Sequence, residues 1–400
     1  MIFGGIYMEN KITENTSKDF DAAIKNADLN SIYKSRREKI SAYLQEKKIG
    51  AAVFIDSEDR REPALRYLTG HPTDAVLVIC DNGKSVLSPW DENLAAQKAY
   101  ADEVIPFTSF QRDSVIAVKE ILEKSSCAQK TLAISPATTF IDHRKFSEAM
   151  EGWQIECKED SVHEYTGQMR AQKDEYEIAC TRKACAITSA MTDIIERKLI
   201  SGEFATEADV ALFIERELRI QGCERTSFDT LAAGPGRSFA IHAFPGYTGG
   251  AWGSKGLSIL DYGVCYEGYA SDCTITVARG PLCKEQTEIL DLVQKAADEC
   301  INLYKPGMKI HDASQHCDDI FAEAGKSMPH SLGHGTGLEI HEAPFISMRT
   351  SEDKLFMPGN IVTLEPGLYD SRLGGCRLEN DVLITESGNV VLTNSRIIRL

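Results

Sequence analysis

The sequence predicts an α+β protein of two domains, in which a smaller α/β domain precedes a larger, strand-rich one. Three observations support this prediction. The chain has 400 residues, which is more than one hydrophobic core usually encloses. Short apolar strands alternate with amphipathic helices up to about residue 165. Beyond that point, two long helices lead into a region rich in strands. We therefore predict a flexible N-terminal arm at 1–30, an α/β domain at 31–165 and a second domain at 166–400.

Each predicted element follows from a local pattern. Helical spacing of apolar residues predicts a helix at 32–46, and apolar runs predict strands at 51–55 and 75–80. Asp81-Asn82-Gly83-Lys84 predicts a hairpin turn into a third strand. The other predicted elements are helix 91–101, strand 103–105, helix 113–124, strand 131–135, helices 174–199 and 206–221, a strand–turn–strand unit at 258–277, and helices 284–304 and 311–324.

The composition excludes several classes of protein. The net charge is −16, with 60 acidic and 44 basic residues mixed along the chain. This balance argues against nucleic-acid binding and gives no support to anchoring on anionic membranes. No run approaches the roughly 20 apolar residues of a membrane helix. Twelve cysteines are scattered without a C-x-x-C pair, so we expect a reducing cytoplasm. The opening segment lacks a basic leader, and Met8 is an alternative start.

Two aspartates lie on apolar strands that a short turn joins. If Glu267-Gly268 is the two-residue turn, Gly263 lies opposite Asp272, and Asp261 is on the same face two residues along. The two carboxylates are then diagonal neighbours with Cβ atoms roughly 7 Å apart or less. That separation suits two side chains that bind a metal pair, whereas a register slip of one residue would place them on opposite faces. The alternative is a pair of aspartates satisfied by turn amides.

Three histidines and three glycines lie close together at 330–341. Glycines allow the backbone to approach a ligand closely, and imidazoles bind metals or stabilise a transition state. A single histidine at His330, His334 or His341 would more often be a satisfied core residue. Three so placed indicate a site.

Two glutamates follow later strands. Glu365 precedes Pro366-Gly367, so strand parity leaves open whether it shares a face with Glu379. Arg377, two residues before Glu379, either holds a metal-bound carboxylate or forms a surface ion pair. Four carboxylates and one imidazole suggest two metal ions with bridging carboxylates, which would supply hydroxide at neutral pH and cleave a peptide bond.

These segments resemble the "pita-bread" metallopeptidases, which include methionine aminopeptidases, Xaa-Pro aminopeptidases and Xaa-Pro dipeptidases (prolidases). The resemblance extends from about residue 32 to the end of the chain. It rests on five ligands matched in order: Asp261, Asp272, His334, Glu365 and Glu379. The segment 228–234 followed by His242 resembles the substrate-binding histidine segment. Residues 67–70 and 169–173 resemble the N-terminal domain and domain junction of the proline-specific branch.

The resemblance implies a pita-bread (creatinase/aminopeptidase) catalytic domain at 166–400 behind a creatinase-like N-terminal domain at 31–165. Asp261 and Asp272 would bind one ion, while His334 and Glu365 would bind the other. Asp272 and Glu379 would bridge the two. A carboxylate-rich site suits Mn²⁺, with Co²⁺ or Zn²⁺ able to substitute.

The implied activity is hydrolysis of the Xaa-Pro bond at the N-terminus of peptides or dipeptides through a metal-bridging hydroxide. Glu365 would act as general base, while His341 and His242 would contact the scissile carbonyl or the intermediate. Family positions near the proline subsite or in the outer shell are matched by His330, Tyr369 and Arg377. A homodimer is also implied.

Two departures from the family pattern stand near these residues. Ile275 replaces the arginine of the usual Asp-x-Thr-Arg-Thr, which is expected to remove a charge close to the site. Asn380 stands where the family often has aspartate. Two alternatives therefore stay open: a pseudo-peptidase that keeps the fold as a binding module, and a creatinase-like hydrolase of a C–N bond in a small guanidino compound. A methionine aminopeptidase is disfavoured by the preceding α/β domain.

Overall fold

The structure, a computed structural model, describes residues 14–243 and 246–400. The chain divides into two compact units, one of residues 27–170 and the other of residues 171–400 with the N-terminal helix α1 (Glu14–Asn26). The boundary between the units falls between residues 170 and 171, which is later in the sequence than the predicted boundary at 165. Part of the predicted flexible arm is helical, because residues 14–26 form α1 and Asp21 forms an ion pair with Lys183 at 3.1 Å. Residues 1–13 of that arm lie outside the described residues.

The unit 27–170 is built around a mixed six-stranded sheet. Its elements are α2 (Leu29–Lys47), β1 (Ala51–Asp56), α3 (Pro63–Thr69), β2 (Ala75–Cys80), β3 (Ser85–Pro89), α4 (Glu92–Lys98), β4 (Glu103–Val104), α5 (Ser114–Glu123), β5 (Thr131–Ala133), α6 (Phe140–Ala149), β6 (Gln154–Glu156) and α7 (Val162–Ala171).

The strand order is β4-β3-β2-β1-β5-β6, and β1 is antiparallel to β2 but parallel to β5. All six positions of β2 are buried, which explains its uninterrupted apolar sequence. The predicted strands and helices of this unit are confirmed. Helices α3, α6 and α7 were not predicted because they are short and carry weak apolar periodicity.

The second unit contains most of the chain. Its elements are α8 (Glu175–Ile200), α9 (Glu207–Ile220), β7 (Arg225–Thr226), β8 (Leu231–Ala233), β9 (Gly256–Tyr262), β10 (Val264–Tyr266), β11 (Tyr269–Ala270), β12 (Cys273–Arg279), α10 (Lys284–Cys300), α11 (Ile310–Glu323), β13 (Gly333–Gly335), β14 (Glu342–Ile346), β15 (Ile361–Leu364), β16 (Gly367–Asp370), β17 (Gly374–Arg377), β18 (Glu379–Ile384), β19 (Asn389–Val391) and β20 (Ile397–Arg399).

A nine-stranded sheet organises this unit. Its main order is β14-β13-β15-β18-β12-β9-β8, with β19 beside β18 and β20 beside β12. Apolar side chains of α8 and α9 form one buried cluster with Leu260, Ile275 and Val277. Those of α10 and α11 form another with Val362 and Val382. Helices thus bury both faces of the sheet, and the predicted two-domain α+β architecture is confirmed. Among the helices of the described residues, none has the length and apolar character needed to cross a membrane.

Candidate metal centre

The hairpin of β9 to β12 places two aspartates side by side. Glu267 and Gly268 form the turn with φ values of 47° and 85°, a left-handed pair typical of a type I′ turn. Tyr266 pairs with Tyr269 across it, and the same register continues to Asp261 opposite Thr274. Asp272 lies two residues before Thr274, so the two carboxylates are diagonal neighbours on one face. The predicted register is confirmed.

Strand β18 adds a third carboxylate to that face. Glu379 pairs with Thr274 from the side of β12 opposite to β9. The Thr274 hydroxyl donates a hydrogen bond to Glu379 Oε2 at 2.6 Å. Asp261, Asp272 and Glu379 therefore come from three adjacent strands, and all three are buried.

Strand β13 presents His334 between two glycines that its neighbours require. A Cβ on Gly333 would lie 2.1 Å from the Thr363 carbonyl oxygen, and a Cβ on Gly335 would lie 2.3 Å from that of Ala343. The His334 amide donates to the Thr363 hydroxyl at 3.0 Å. These contacts fix the strand, so that His334 is aimed into the site.

The His334 ring is poised as a ligand. Nδ1 lies 3.1 Å from the Gly335 carbonyl oxygen, so a proton there leaves the Nε2 lone pair free. Nε2 is 3.7 Å from Asp272 Oδ2 and 3.6 Å from Glu365 Oε1. Burial lowers the pKa of His334 to about 4, so the ring is neutral at pH 7. Ligand atoms of Asp272, His334 and Glu379 all lie within 4.8 Å of one another.

In this site, the negative charge of the carboxylates exceeds the positive charge of the side chains around them. Burial raises the pKa of Asp272 and of Glu379 well above their ordinary values, and the neighbouring carboxylates add to the rise. Burial also raises the pKa of Glu365 to about 8, although Arg377 opposes the rise. Among the described residues, Asp261 Oδ1 and Asp272 Oδ1 are buried without a hydrogen-bond partner. Such oxygens suit a hard divalent cation, so the donor set fits the implied metal pair.

Arg377 lies in the interior, contrary to the surface ion-pair alternative. Its side chain is 2% exposed, and Nη2 donates to Asp261 Oδ2 at 2.5 Å. Nε donates to the Thr274 hydroxyl at 3.0 Å, and Nη1 donates to the Tyr369 hydroxyl at 2.7 Å and the Ile241 carbonyl at 3.1 Å. The guanidinium thus orients Asp261 and links it to Tyr369 and Ile241.

A cavity of about 470 Å³ opens over these groups. The ring of His341 meets that of His334 edge-on, with centroids 4.3 Å apart. His330 Nε2 lies 3.0 Å from the Tyr369 hydroxyl, and burial lowers the pKa of His330 to about 4. The predicted site residues that line the cavity are Asp261, Asp272, His334, Glu365, Glu379, His242, His330, His341 and Arg377. The structure thus brings these nine residues together, while their individual roles stay predictions. Tyr369 is not among the lining residues but contacts His330 and Arg377 through its hydroxyl.

Ile275 itself does not face this site, and the expected loss of a charge near it stays a prediction. Along β12, Asp272 and Thr274 point towards the carboxylates, whereas Ile275 alternates to the other face. It is fully buried in the cluster formed with α8 and α9.

Sequence reasoning missed Asp381, which supports the site from behind. Its carboxylate accepts the Asp272 amide at 2.7 Å, the Thr336 hydroxyl at 3.2 Å and the Cys185 thiol at 3.3 Å. Two-residue alternation from Glu379 along β18 was the available signal. Asn380 points the other way, and its Oδ1 accepts the Thr393 hydroxyl at 3.1 Å.

We expect the gain in melting temperature on adding Mn²⁺ to the metal-free protein to grow from about pH 6 to about pH 8. An acid whose pKa is higher in the folded than in the unfolded protein stabilises the fold while it is protonated. That contribution to the free energy of unfolding is lost as the acid ionises. For Glu365 this stability is lost from the ordinary value of 4.5 up through about 8, and Asp272 and Glu379 act in the same direction. Thermal melts of chelated and Mn²⁺-loaded protein at both pH values measure the gain. A gain that shrinks with pH would contradict this charge arrangement.

Comparison with known proteins agrees with this geometry. Residues 36–171 match the creatinase/prolidase N-terminal domain, and residues 179–386 match metallopeptidase family M24. An Xaa-Pro dipeptidase of Pyrococcus furiosus is 30% identical over 90% of this chain and 98% of its own length. The structure of an Xaa-Pro dipeptidase from Bacillus anthracis superposes with a TM-score of 0.80 at 26% identity, covering 92% of this chain and all of that one.

An X-Pro aminopeptidase from Thermotoga maritima superposes nearly as well, with a TM-score of 0.78 at 25% identity over 91% of this chain and 99% of that one. Similarity of fold therefore does not separate the two specificities. The family model covers more than half of the chain, and the relative spans nearly all of it. The predicted pita-bread fold is confirmed, and the chain belongs to metallopeptidase family M24, in the prolidase branch with a creatinase-type N-terminal domain.

Proposed function

We propose that the chain is a two-metal exopeptidase that hydrolyses the bond between an N-terminal residue and a following proline. The observation that carries the proposal is the convergence of three buried carboxylates, the partly buried Glu365 and the neutral His334 around one cavity. The named activities of the relatives, an Xaa-Pro dipeptidase and an X-Pro aminopeptidase, supply the substrate class.

We propose the ligand assignment that the family resemblance implies. Asp261 and Asp272 would hold one ion, while His334 and Glu365 would hold the other, with Asp272 and Glu379 shared. The 3.6 Å and 3.7 Å separations of His334 Nε2 from Glu365 and Asp272 support this division. Two divalent ions, which we propose to be Mn²⁺ with Co²⁺ or Zn²⁺ as substitutes, would lower the pKa of water and polarise the scissile carbonyl.

Protein groups around the ligands handle protons and developing charge. Glu365 is proposed as the general base, which would accept a proton and return it to the leaving proline nitrogen. Burial lowers the pKa of His341, so its neutral ring can donate a hydrogen bond to a developing oxyanion. His242 lines the same cavity and is proposed as the second donor.

The proline subsite is proposed at the side formed by Arg377, Tyr369 and His330. The Arg377–Tyr369–His330 hydrogen bonds, at 2.7 Å and 3.0 Å, leave these side chains little freedom. A rigid wall suits proline, which has a fixed ring and no N–H to satisfy.

The cavity also bears on the length of the substrate. Among the described lining residues, Arg377 is the one lysine or arginine, and its guanidinium already contacts Asp261, Tyr369 and Ile241. The carboxylate of an Xaa-Pro dipeptide would therefore lie near acidic groups without a dedicated cation. Phe345 lines the cavity and is 52% exposed, which offers an apolar contact beyond proline. We propose that the preferred substrates continue past proline.

With Mn²⁺, we expect Ala-Pro-Leu to be cleaved with a kcat/KM about fivefold or more above that of Ala-Pro, because an unpaired carboxylate costs at least about 1 kcal/mol. Ala-Pro-amide has the length of the dipeptide without its charge and should recover most of the difference. Release of alanine by chromatography measures all three, and Ala-Ala-Leu is the control for proline.

Each outcome has a distinct meaning. A preference for Ala-Pro over both other peptides would contradict the proposal on length but keep the enzyme. Absence of any hydrolysis despite bound metal would favour the pseudo-peptidase alternative, and cleavage of a guanidino compound would favour the creatinase-like one.

The free cysteines support a cytoplasmic location, which we propose together with a homodimer.

A further inference from the structure

A buried carboxylate outside the proposed metal-ligand set has an unusually complete set of donors. Glu207, the first residue of α9, is 1% exposed. Its Oε1 accepts the Gly234 amide at 2.7 Å, and its Oε2 accepts the Thr248 amide at 2.7 Å and the Thr248 hydroxyl at 2.6 Å. The Arg237 guanidinium also donates to Oε2. A buried charge is tolerated only when hydrogen bonds and an opposite charge compensate it.

All of these donors lie close to His242 in the sequence, within residues 234–243 and 246–250, which we call the His242 segment. Gly234 and Arg237 precede the histidine, and Thr248 follows it. The backbone at the start of α9 adds two bonds to the same segment, from the Glu207 amide to the Gly250 carbonyl at 2.9 Å and from the Ala208 amide to the Thr248 carbonyl at 2.8 Å. One carboxylate thus ties together the chain before and after His242.

A second attachment lies next to the histidine itself. Arg377 donates to the Ile241 carbonyl at 3.1 Å, and the same guanidinium holds Asp261. Ser238 is fixed as well, because its hydroxyl donates to the Leu257 carbonyl at 2.7 Å on β9. The His242 segment is therefore held to the ligand-bearing strands near its middle and to α9 near its ends.

We propose that Glu207 is a positioning residue for the substrate contact made by His242. The proposal rests on the proposed function, because it requires His242 to contact the substrate. The chemistry calls for a carboxylate: four donors converge on two acceptor oxygens. A glutamine would keep one oxygen and turn its NH₂ group towards further donors. Released from Glu207, the segment would let His242 move by a distance that matters for catalysis.

The test is Glu207→Gln, compared with Asp209→Asn. Asp209 lies in the same first turn of α9 and accepts the Ala205 and Thr206 amides at 3.0 Å and 2.8 Å, but it does not touch the His242 segment. We expect Glu207→Gln to lower kcat/KM on Ala-Pro-Leu by roughly tenfold to a hundredfold with metal content unchanged. Asp209→Asn should stay within about twofold of the wild type.

A double-mutant cycle separates positioning from general damage. In a His242→Ala background, Glu207→Gln should change kcat/KM by less than about twofold, because the group that it positions is absent. Persistence of the full loss in that background, an equal loss in Asp209→Asn, or a parallel loss of metal would overturn the proposal. If Glu207→Gln does not fold, Thr248→Val removes one of the four bonds, and the same cycle applies.

Hydrogen exchange gives a readout that does not depend on activity. Amides of residues 237–243 should exchange faster in Glu207→Gln than in Asp209→Asn, and equal rates would overturn the proposal. If the wild type cleaves no Xaa-Pro peptide but exchange rises as expected, the proposed function fails while the structural tie stands.

Discussion

Asp272→Asn should lower peptide hydrolysis at least about a thousandfold, because the proposed metal pair would supply several kcal/mol of transition-state stabilisation that would depend on Asp272 as a shared ligand. The same change should make the metal-free protein more stable. Asp272 is a buried carboxylate whose pKa is raised by burial and by Glu379 and Asp261, so the wild-type charge destabilises the empty fold near pH 7. Hydrolysis, metal content and thermal melts of the chelated protein measure the three quantities.

Asp381→Asn is the matched control. Asp381 is buried beside Asp272 on the same sheet and accepts its amide, but it is not assigned as a ligand. Asparagine can still accept that amide through its side-chain oxygen, so we expect a loss of less than about a hundredfold, the range of a supporting residue. Full activity and full metal content in Asp272→Asn would rule out its bridging assignment.

Lys173→Met should destabilise the protein by about 3–5 kcal/mol, the usual cost of breaking a buried ion pair by removing one partner. Lys173 Nζ lies 2.6 Å from Glu342 Oε1, and the two side chains are 0% and 5% exposed. The substitution would leave the Glu342 charge in the interior without this cation. Denaturant unfolding of the metal-loaded protein measures the loss.

Two controls bracket this expectation. In Lys173→Met/Glu342→Gln the buried charge is also gone, and most of the lost stability should return. Lys183→Met breaks the pair with Asp21, in which the aspartate is 49% exposed, and should cost about 1 kcal/mol or less. Equal losses in Lys173→Met and Lys183→Met would mean that burial of the pair is not the cause.

The part of the site that local sequence could predict is the part built within one hairpin. Glu267-Gly268 sets a two-residue turn, and the period of two along each strand then places Asp261 beside Asp272. The glycines around His334 were informative for a similar reason, since each lies where a neighbouring backbone leaves no room for a Cβ. The domain organisation followed from periodicity over many residues.

What could not be predicted depends on partners distant in sequence. Glu207 meets its donors 27 to 41 residues away, and Lys173 meets Glu342 169 residues away. A lone Glu or Lys on an amphipathic helix or in a loop carries no sign of such a partner. The orientation of Ile275 is different, because the alternation of side chains along β12 could have predicted it, whereas we considered only the charge missing from the family pattern.

The position of β18 in the nine-stranded sheet has a consequence for the order of folding and metal binding. Glu379 begins this strand, which lies between β15 and β12, so its pairing with Thr274 closes a loop of 105 residues. Contacts across such separations form late, because the chain entropy is lost before the contacts are gained. If Glu379 binds metal as proposed, high-affinity metal binding would require this late pairing, and metal uptake during refolding would report when β18 joins the sheet.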